Sequence, residues 1–142
     1  MDRAKSLARL CRKYKLDILY VFGSRTAEVK SWLAGTLPAL VPGPADVDIG
    51  VKEKEAEEHP LSVDQKVHLT LDLEDLLGVG RVDLVTFSEA DAFLAVNILR
   101  GERLYALDTL QADEFDLYIL RRAGDLAPFE RERMAMIFKE KA

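Results

Sequence analysis

Apolar residues recur along this chain at two spacings, one helical and one typical of strands. Near the start, apolar positions three and four residues apart lie among Arg and Lys: Leu7, Leu10, Cys11 and Tyr14. This spacing predicts an opening amphipathic helix. The run Ile-Leu-Tyr-Val-Phe at 18–22 is rich in strand-forming residues and is followed by Gly23. It predicts a first strand that stops at a turn.

The rest of the pattern predicts further strands and helices. Strands are expected at 47–51, 82–87 and 104–107, and helices at about 24–33, 62–77 and 88–99. Two closing helices are expected within about 109–141, divided near Gly124 and Pro128. In the last of them, Met134, Ile137 and Phe138 are expected to form the apolar stripe. The segment 35–44 holds three prolines and two glycines and predicts an irregular loop.

Length and composition indicate one compact domain over residues 1–142, with the closing helices as part of it. The single cysteine, Cys11, excludes an internal disulfide and a Cys-based zinc site. A net charge of -5 argues against extended binding to a nucleic acid backbone. The apolar runs are too short to span a bilayer, and the N-terminus lacks the pattern of a signal peptide. A cytoplasmic protein is therefore expected.

The run Ala-Asp-Val-Asp-Ile-Gly-Val at 45–51 carries the most informative chemistry. Side chains alternate between the two faces of a strand, so Asp46 and Asp48 share a face while the valines and Ile49 take the other. Two neighbouring carboxylates repel each other unless a cation lies between them, and hard oxygen ligands suit Mg²⁺. The alternative is a solvent-facing strand or turn with two exposed acids.

A second candidate lies where the first strand meets the next helix, at Gly23-Ser24-Arg25. Gly23 permits a close backbone approach, and Ser24 is expected to cap a helix whose N-terminus favours phosphate. Arg25 could add a charge-assisted contact to the same phosphates. The alternative is a tight turn with an ordinary serine cap.

A third candidate is Asp83, an acid on the predicted strand at 82–87. It shares a face with Val85 and Phe87, so partial burial is expected unless a ligand or a solvent cleft reaches it, and a buried lone carboxylate is costly. A role as a third metal ligand or as a base for an attacking hydroxyl would explain it. The alternative is an acid that caps a loop or pairs with Arg81.

The order of these three pieces resembles the nucleotidyltransferase signature of the DNA polymerase beta superfamily. More closely, the chain resembles the minimal nucleotidyltransferases found with HEPN-domain proteins in toxin–antitoxin pairs. The segments at 97–105 and 124–130 are similar to the parts of that family before its final helices. The resemblance implies an α+β nucleotidyltransferase fold with a small mixed sheet packed with helices and a C-terminal helical pair.

The resemblance also implies roles for the candidate residues. Gly23 and Ser24 would bind the triphosphate, while the Arg25 contact rests on its position alone. The catalytic carboxylates and metal ligands would be Asp46, Asp48 and Asp83, which would hold two Mg²⁺ ions, as in two-metal sites. The substrate would be ATP, and the acceptor a hydroxyl, expected to be a tyrosine, of a HEPN-domain toxin.

One departure concerns the segment 26–45, which is about twice as long as the family usually has between Gly-Ser and the aspartate pair. A longer surface loop costs little free energy. It could cover the nucleotide, contact a partner or disturb phosphate positioning. Two other functions stay open: a non-catalytic antitoxin that neutralises its partner by binding, and a small-molecule nucleotidyltransferase.

Overall fold

The structure is a computed structural model that describes the backbone of residues 2–141. From residue 126 onward it describes the side chains of Glu132 and Ala135 only, so the expected stripe of Met134, Ile137 and Phe138 lies outside the described residues. The elements run in the following order: α1 (Arg3–Lys13), β1 (Leu16–Phe22), α2 (Thr26–Leu33), β2 (Val47–Glu53), α3 (Val63–Leu77), β3 (Val82–Thr86), α4 (Ala92–Leu99), β4 (Glu102–Ala106) and α5 (Thr109–Lys141).

The four strands form one mixed sheet in the order β3-β2-β1-β4. Strand β1 is antiparallel to both β2 and β4, whereas β2 and β3 are parallel. Strand β1 therefore lies inside the sheet, which explains why its sequence is a nearly continuous apolar run rather than an alternating one. The small mixed sheet that the resemblance implied is confirmed, and β3 and β4 are its edges.

Helices cover both faces of the sheet. The first face packs against α1, α2 and α3 and supplies alternate residues of the inner strands to one core: Leu19, Val21, Val47, Ile49 and Val51. The second face packs against α4 and α5 through the intervening residues of β1: Ile18, Tyr20 and Phe22. The residues of β2 that alternate with its buried valines therefore face the α4 side. Asp48 is one of these residues.

Capping residues set the ends of two helices. Ser62 caps α3, because its hydroxyl accepts from Gln65 N (3.2 Å) and the Gln65 side chain accepts from Ser62 N (2.9 Å). Helix α3 then ends at Gly78 with φ +69°. Helix α4 begins later than expected: Asp91 is its cap, and Ser88 lies in a short 3₁₀ turn before it. The expected start of this helix at about residue 88 is therefore wrong.

The expected pair of closing helices is also wrong, because α5 continues from Thr109 to Lys141 through Gly124 and Pro128. Inside a helix, glycine costs about 1 kcal/mol and proline about 3 kcal/mol relative to alanine. Both are local preferences that the rest of a long helix can outweigh. None of the helices described here combines the length and the apolar character that crossing a membrane requires.

The long segment between α2 and β2 is anchored to the body of the protein. Arg3 Nη1 donates to the carbonyls of Trp32 (2.6 Å) and Leu37 (2.7 Å), Arg3 Nη2 donates to that of Pro38, and the guanidinium stacks on the Trp32 ring at 4.7 Å. Trp32 and Leu40 are buried in the first core. The loop is therefore packed against the protein along its first half.

Candidate active site

The parallel pairing of β2 and β3 brings two carboxylates face to face. Asp48 and Asp83 are partners across the two strands, and Asp46 immediately precedes β2. Burial raises the pKa of the Asp48 carboxyl, and the negative charges of Asp83 and Asp46 raise it further. Such an effect requires proximity. The three aspartates singled out in the sequence therefore lie together on one part of the molecule.

The three carboxylates differ in exposure. Asp46 and Asp48 are half-buried, while Asp83 is exposed. The expected partial burial of Asp83 is wrong, because β3 is an edge strand and its first residues have a neighbouring strand on one side only. An exposed Asp83 beside half-buried Asp48 leaves the third carboxylate open to an incoming molecule.

Gly23 lies directly against this group. It follows Phe22, which is the partner of Asp48 across β1 and β2, and it has φ +80°. A Cβ atom added at Gly23 would lie 2.3 Å from Asp48 Oδ2. The absence of a side chain therefore lets the turn after β1 touch the carboxylate, and it joins the Gly-Ser motif and the aspartate pair into one site.

Ser24 is exposed beside Gly23, but it does not cap α2 as expected. The helix begins at Thr26, its cap is Arg25, and the Arg25 side chain makes no capping hydrogen bond. The Thr26 hydroxyl instead donates to the Gly23 carbonyl at 2.8 Å. The hydroxyl of Ser24 is therefore placed at the surface of the turn, where its contact with a phosphate stays a prediction.

Arg25 turns away from solvent, and the exposed fraction of its side chain is 8%. Its Nη2 atom contacts the Glu28 carboxylate at 2.8 Å and the Val41 carbonyl at 2.5 Å, and Nη1 contacts the Ala45 carbonyl at 3.4 Å. Hydrogen bonding to Glu28 raises the pKa of Arg25. The donors of Arg25 are therefore directed to the chain itself, which goes against its expected contact with phosphate.

Arg81 is a residue that the sequence pattern does not single out as part of the site. Its Nε lies 3.4 Å from Asp46 Oδ2, and its carbonyl accepts from Val47 N at 3.2 Å. Arg81, which was considered as a partner of Asp83, thus pairs with Asp46 instead. Arg81 directly precedes β3, and β3 pairs with β2 at this end, so the contact follows from strand pairing that the local sequence does not reveal.

The donor set fits Mg²⁺, because three carboxylates lie together at one end of β2 and β3 and carboxylate oxygens are ligands that Mg²⁺ prefers. Among the described residues, the group with three ligand atoms within 4.8 Å of one another is a different one: Glu55, Glu58 and His59. All three are exposed and belong to the loop after β2, at the far end from Asp48, which makes them an ordinary acidic loop.

The like charges around Asp48 should weaken the fold in the absence of a cation. A pKa raised in the folded state means that stability falls as pH rises above the ordinary value of 3.8. We expect Asp48→Asn to raise the Tm by about 3 °C at pH 7 in EDTA, the effect of roughly 1 kcal/mol in a domain of this length. The gain should shrink as pH falls towards 4. Calorimetric scans over this pH range measure it.

The matched control is Asp72→Asn. A hydrogen bond from Tyr14 (2.6 Å) lowers the pKa of Asp72, so this substitution should lower the Tm at pH 7, and the loss should vanish in acid. Equal effects of the two substitutions would contradict the electrostatic account of Asp48.

Comparisons with known proteins agree with this geometry. The model of the family described as Polymerase beta, Nucleotidyltransferase matches residues 5–110, well over half of the chain. Among solved structures, the chain is similar in fold to a chain of a toxin–antitoxin with AMP-PNP (22% identity, 98% of each chain covered, TM-score 0.65). It is also similar to a chain of the tri-AMPylated Shewanella oneidensis HEPN toxin in complex with MNT antitoxin (22% identity, 99% of this chain and 97% of the other, TM-score 0.62).

A third similar structure is described as the toxin–antitoxin MntA-HepT (22% identity, 99% and 97% covered, TM-score 0.61). Comparison with curated protein sequences finds no match. The family match spans the Gly-Ser turn and all three aspartates, which the structure brings together. The chain therefore belongs to the polymerase beta nucleotidyltransferase family.

Proposed function

We propose that this protein is a Mg²⁺-dependent nucleotidyltransferase that moves AMP from ATP to a hydroxyl, expected to be a tyrosine, of a HEPN-domain partner, and so acts as an antitoxin. The observation that carries the proposal is the placement of Asp48 opposite Asp83 with Gly23 against the Asp48 carboxylate. Support for the nucleotide and the partner comes from similar structures, one described with AMP-PNP and one with an AMPylated HEPN toxin.

The residues of the site would have different roles in the reaction. Gly23 and Ser24 would receive the triphosphate, because a turn without a side chain lets backbone N–H groups approach phosphate oxygens. Asp46, Asp48 and Asp83 would hold Mg²⁺. When bound, the metal neutralises phosphate charge and stabilises the attacking and leaving oxygens.

Asp83 is the residue best placed to meet the acceptor, because it is exposed while Asp46 and Asp48 are half-buried. In the proposed step, its carboxylate orients the acceptor hydroxyl and takes up the proton. A bond forms between the acceptor oxygen and the α-phosphorus as the bond from that phosphorus to the β-phosphate oxygen breaks. Pyrophosphate leaves, and the partner carries AMP.

Titration of the purified protein with ATP tests the nucleotide site. Calorimetry should show ATP binding that requires Mg²⁺, and the Asp46→Asn/Asp48→Asn double variant should lose it, because two of the three metal-holding carboxylates are gone. Arg81→Gln serves as a control for charge changes next to Asp46 and should retain metal dependence. Absence of binding by the wild-type protein at millimolar ATP would favour the antitoxin that acts by binding alone.

A further inference from the structure

Arg25 occupies an unusual position for a residue next to a phosphate-binding turn. It follows Gly23-Ser24 directly, yet its side chain is buried to the extent that 8% remains exposed. A buried guanidinium is costly unless its donors are satisfied. Here the donors reach two parts of the chain: the Glu28 carboxylate on α2, and two carbonyls of the long loop before β2.

The Glu28 contact fixes the guanidinium itself. Nε lies 3.2 Å from Glu28 Oε1 and Nη2 lies 2.8 Å from Glu28 Oε2, so the arginine meets the carboxylate with two parallel hydrogen bonds. This paired arrangement is both strong and directional. It holds the remaining N–H groups of Arg25 towards the loop.

The loop contacts lie close to the catalytic carboxylates. Arg25 donates to the carbonyls of Val41 and Ala45, and Ala45 directly precedes Asp46. On its other side, Asp46 is followed by Val47, whose N–H is held by the Arg81 carbonyl at 3.2 Å. The backbone around Asp46 is thus held by Arg25 before it and by the sheet after it.

The first half of the loop has a separate anchor. Arg3, on α1, donates to the carbonyls of Trp32, Leu37 and Pro38. Arg3 on α1 and Arg25 at the cap of α2 therefore hold two different parts of the same loop. Arg3 holds the part of the loop remote from Asp46, whereas Arg25 holds the part that leads into Asp46. Substitution of Arg3 can therefore serve as a control for substitution of Arg25.

We infer that Arg25, held by Glu28, is a positioning residue for Asp46: it fixes the end of the long loop so that this carboxylate stands beside Asp48. Resting on the proposed function, this assigns Arg25 to the metal side of the site rather than to the phosphates. It also gives a role to the contacts between Arg25 and the long loop, which hold the end of the loop that leads into Asp46.

A double-mutant cycle between Arg25→Gln and Asp46→Asn tests the inference, with calorimetric ATP binding in Mg²⁺ as the readout. In the wild-type background, Arg25→Gln should weaken Mg²⁺-dependent binding by about tenfold; in the Asp46→Asn background, by less than about twofold. Glu28→Gln should act in the same direction with a smaller effect. It also serves as the milder variant should Arg25→Gln fold poorly.

Direct contact of Arg25 with phosphate predicts a different result. The effects of the two substitutions would then multiply, so that Arg25→Gln would weaken binding by about tenfold in the Asp46→Asn background as well. That outcome overturns the inference. The control is Arg3→Gln, which should leave Mg²⁺-dependent ATP binding within about twofold of wild type.

Amide hydrogen exchange tests whether Arg25 anchors the end of the loop, and it requires no nucleotide. In Arg25→Gln, exchange of the Val47 amide, which donates to the Arg81 carbonyl directly after Asp46, should accelerate on the order of tenfold, and in Arg3→Gln it should not. Unchanged protection in Arg25→Gln would overturn the inference. Failure of the wild-type protein to bind ATP would instead count against the proposed function, and the exchange result would still stand.

Discussion

Asp48→Ala should abolish the transfer of label from α-labelled ATP to the proposed HEPN-domain partner. Asp48 lies at the centre of the site: Asp83 is its partner across β2 and β3, Asp46 is two residues away, and Gly23 touches its carboxylate. Its removal would take a half-buried carboxylate from the centre of the proposed metal site. Loss of metal-derived charge stabilisation is worth several kcal/mol, so the rate should fall by about 10³-fold or more. Incorporation of label, resolved on a gel, measures the rate.

The control is Asp75→Ala, which removes an exposed carboxylate of α3 that lies outside the site. It should transfer label at the wild-type rate. Label that persists on the partner with Asp48→Ala would contradict the proposed mechanism. Loss of transfer together with full neutralisation of the partner in cells would show that complex formation is sufficient for the antitoxin role.

Among the glycines of the chain, Gly101 should tolerate replacement by alanine least, and Gly101→Ala should destabilise the fold strongly. Gly101 lies between α4 and β4 where the backbone crosses β1, and an added Cβ would stand 2.0 Å from the Val21 carbonyl oxygen and 2.8 Å from Phe22 Cα. Both contacts are with backbone, so no side chain can rotate to relieve them. We expect a loss of about 3 kcal/mol or more in the free energy of unfolding. Urea denaturation measures it.

Gly124→Ala is the matched control, because an added Cβ at Gly124 meets nothing within 4 Å. Gly124 lies within α5, and alanine favours a helix over glycine by about 1 kcal/mol. This variant should be as stable as the wild-type protein or more so. A destabilisation by Gly101→Ala no larger than the change at Gly124 would contradict the close packing of α4 and β4 on β1.

The elements that the sequence predicts well are those whose signals are local. The apolar run of β1, the alternation in β2, and the Ser62 cap and Gly78 end of α3 all lie within a few residues of the elements they define. The sequence does not predict a continuous α5, because Gly124 and Pro128 each disfavour a helix locally. The local pattern does not show how much the rest of a long helix compensates for them.

The candidate site divides in the same way. The pattern assigns Asp48 and Asp83 to strands, but their pairing across β2 and β3 depends on a parallel register that no local signal encodes; resemblance to a family supplied the expectation. The burial of Arg25 was missed because its partners Val41 and Ala45 lie 16 and 20 residues further along. From sequence alone, a basic residue directly after Gly-Ser suggests a contact with phosphate. Only the structure shows that the carbonyls of Val41 and Ala45 bind it instead.

The contact between Gly23 and Asp48 ties together two motifs that are 25 residues apart in sequence. As long as the carboxylate is present, a side chain at position 23 must displace it. A descendant that lost Asp48 would keep only the backbone requirement of φ +80° at that turn, which asparagine can also meet. Positions 23 and 48 should therefore covary among related chains. Replacement of the glycine in a related chain would indicate that its site has lost the aspartate and the activity.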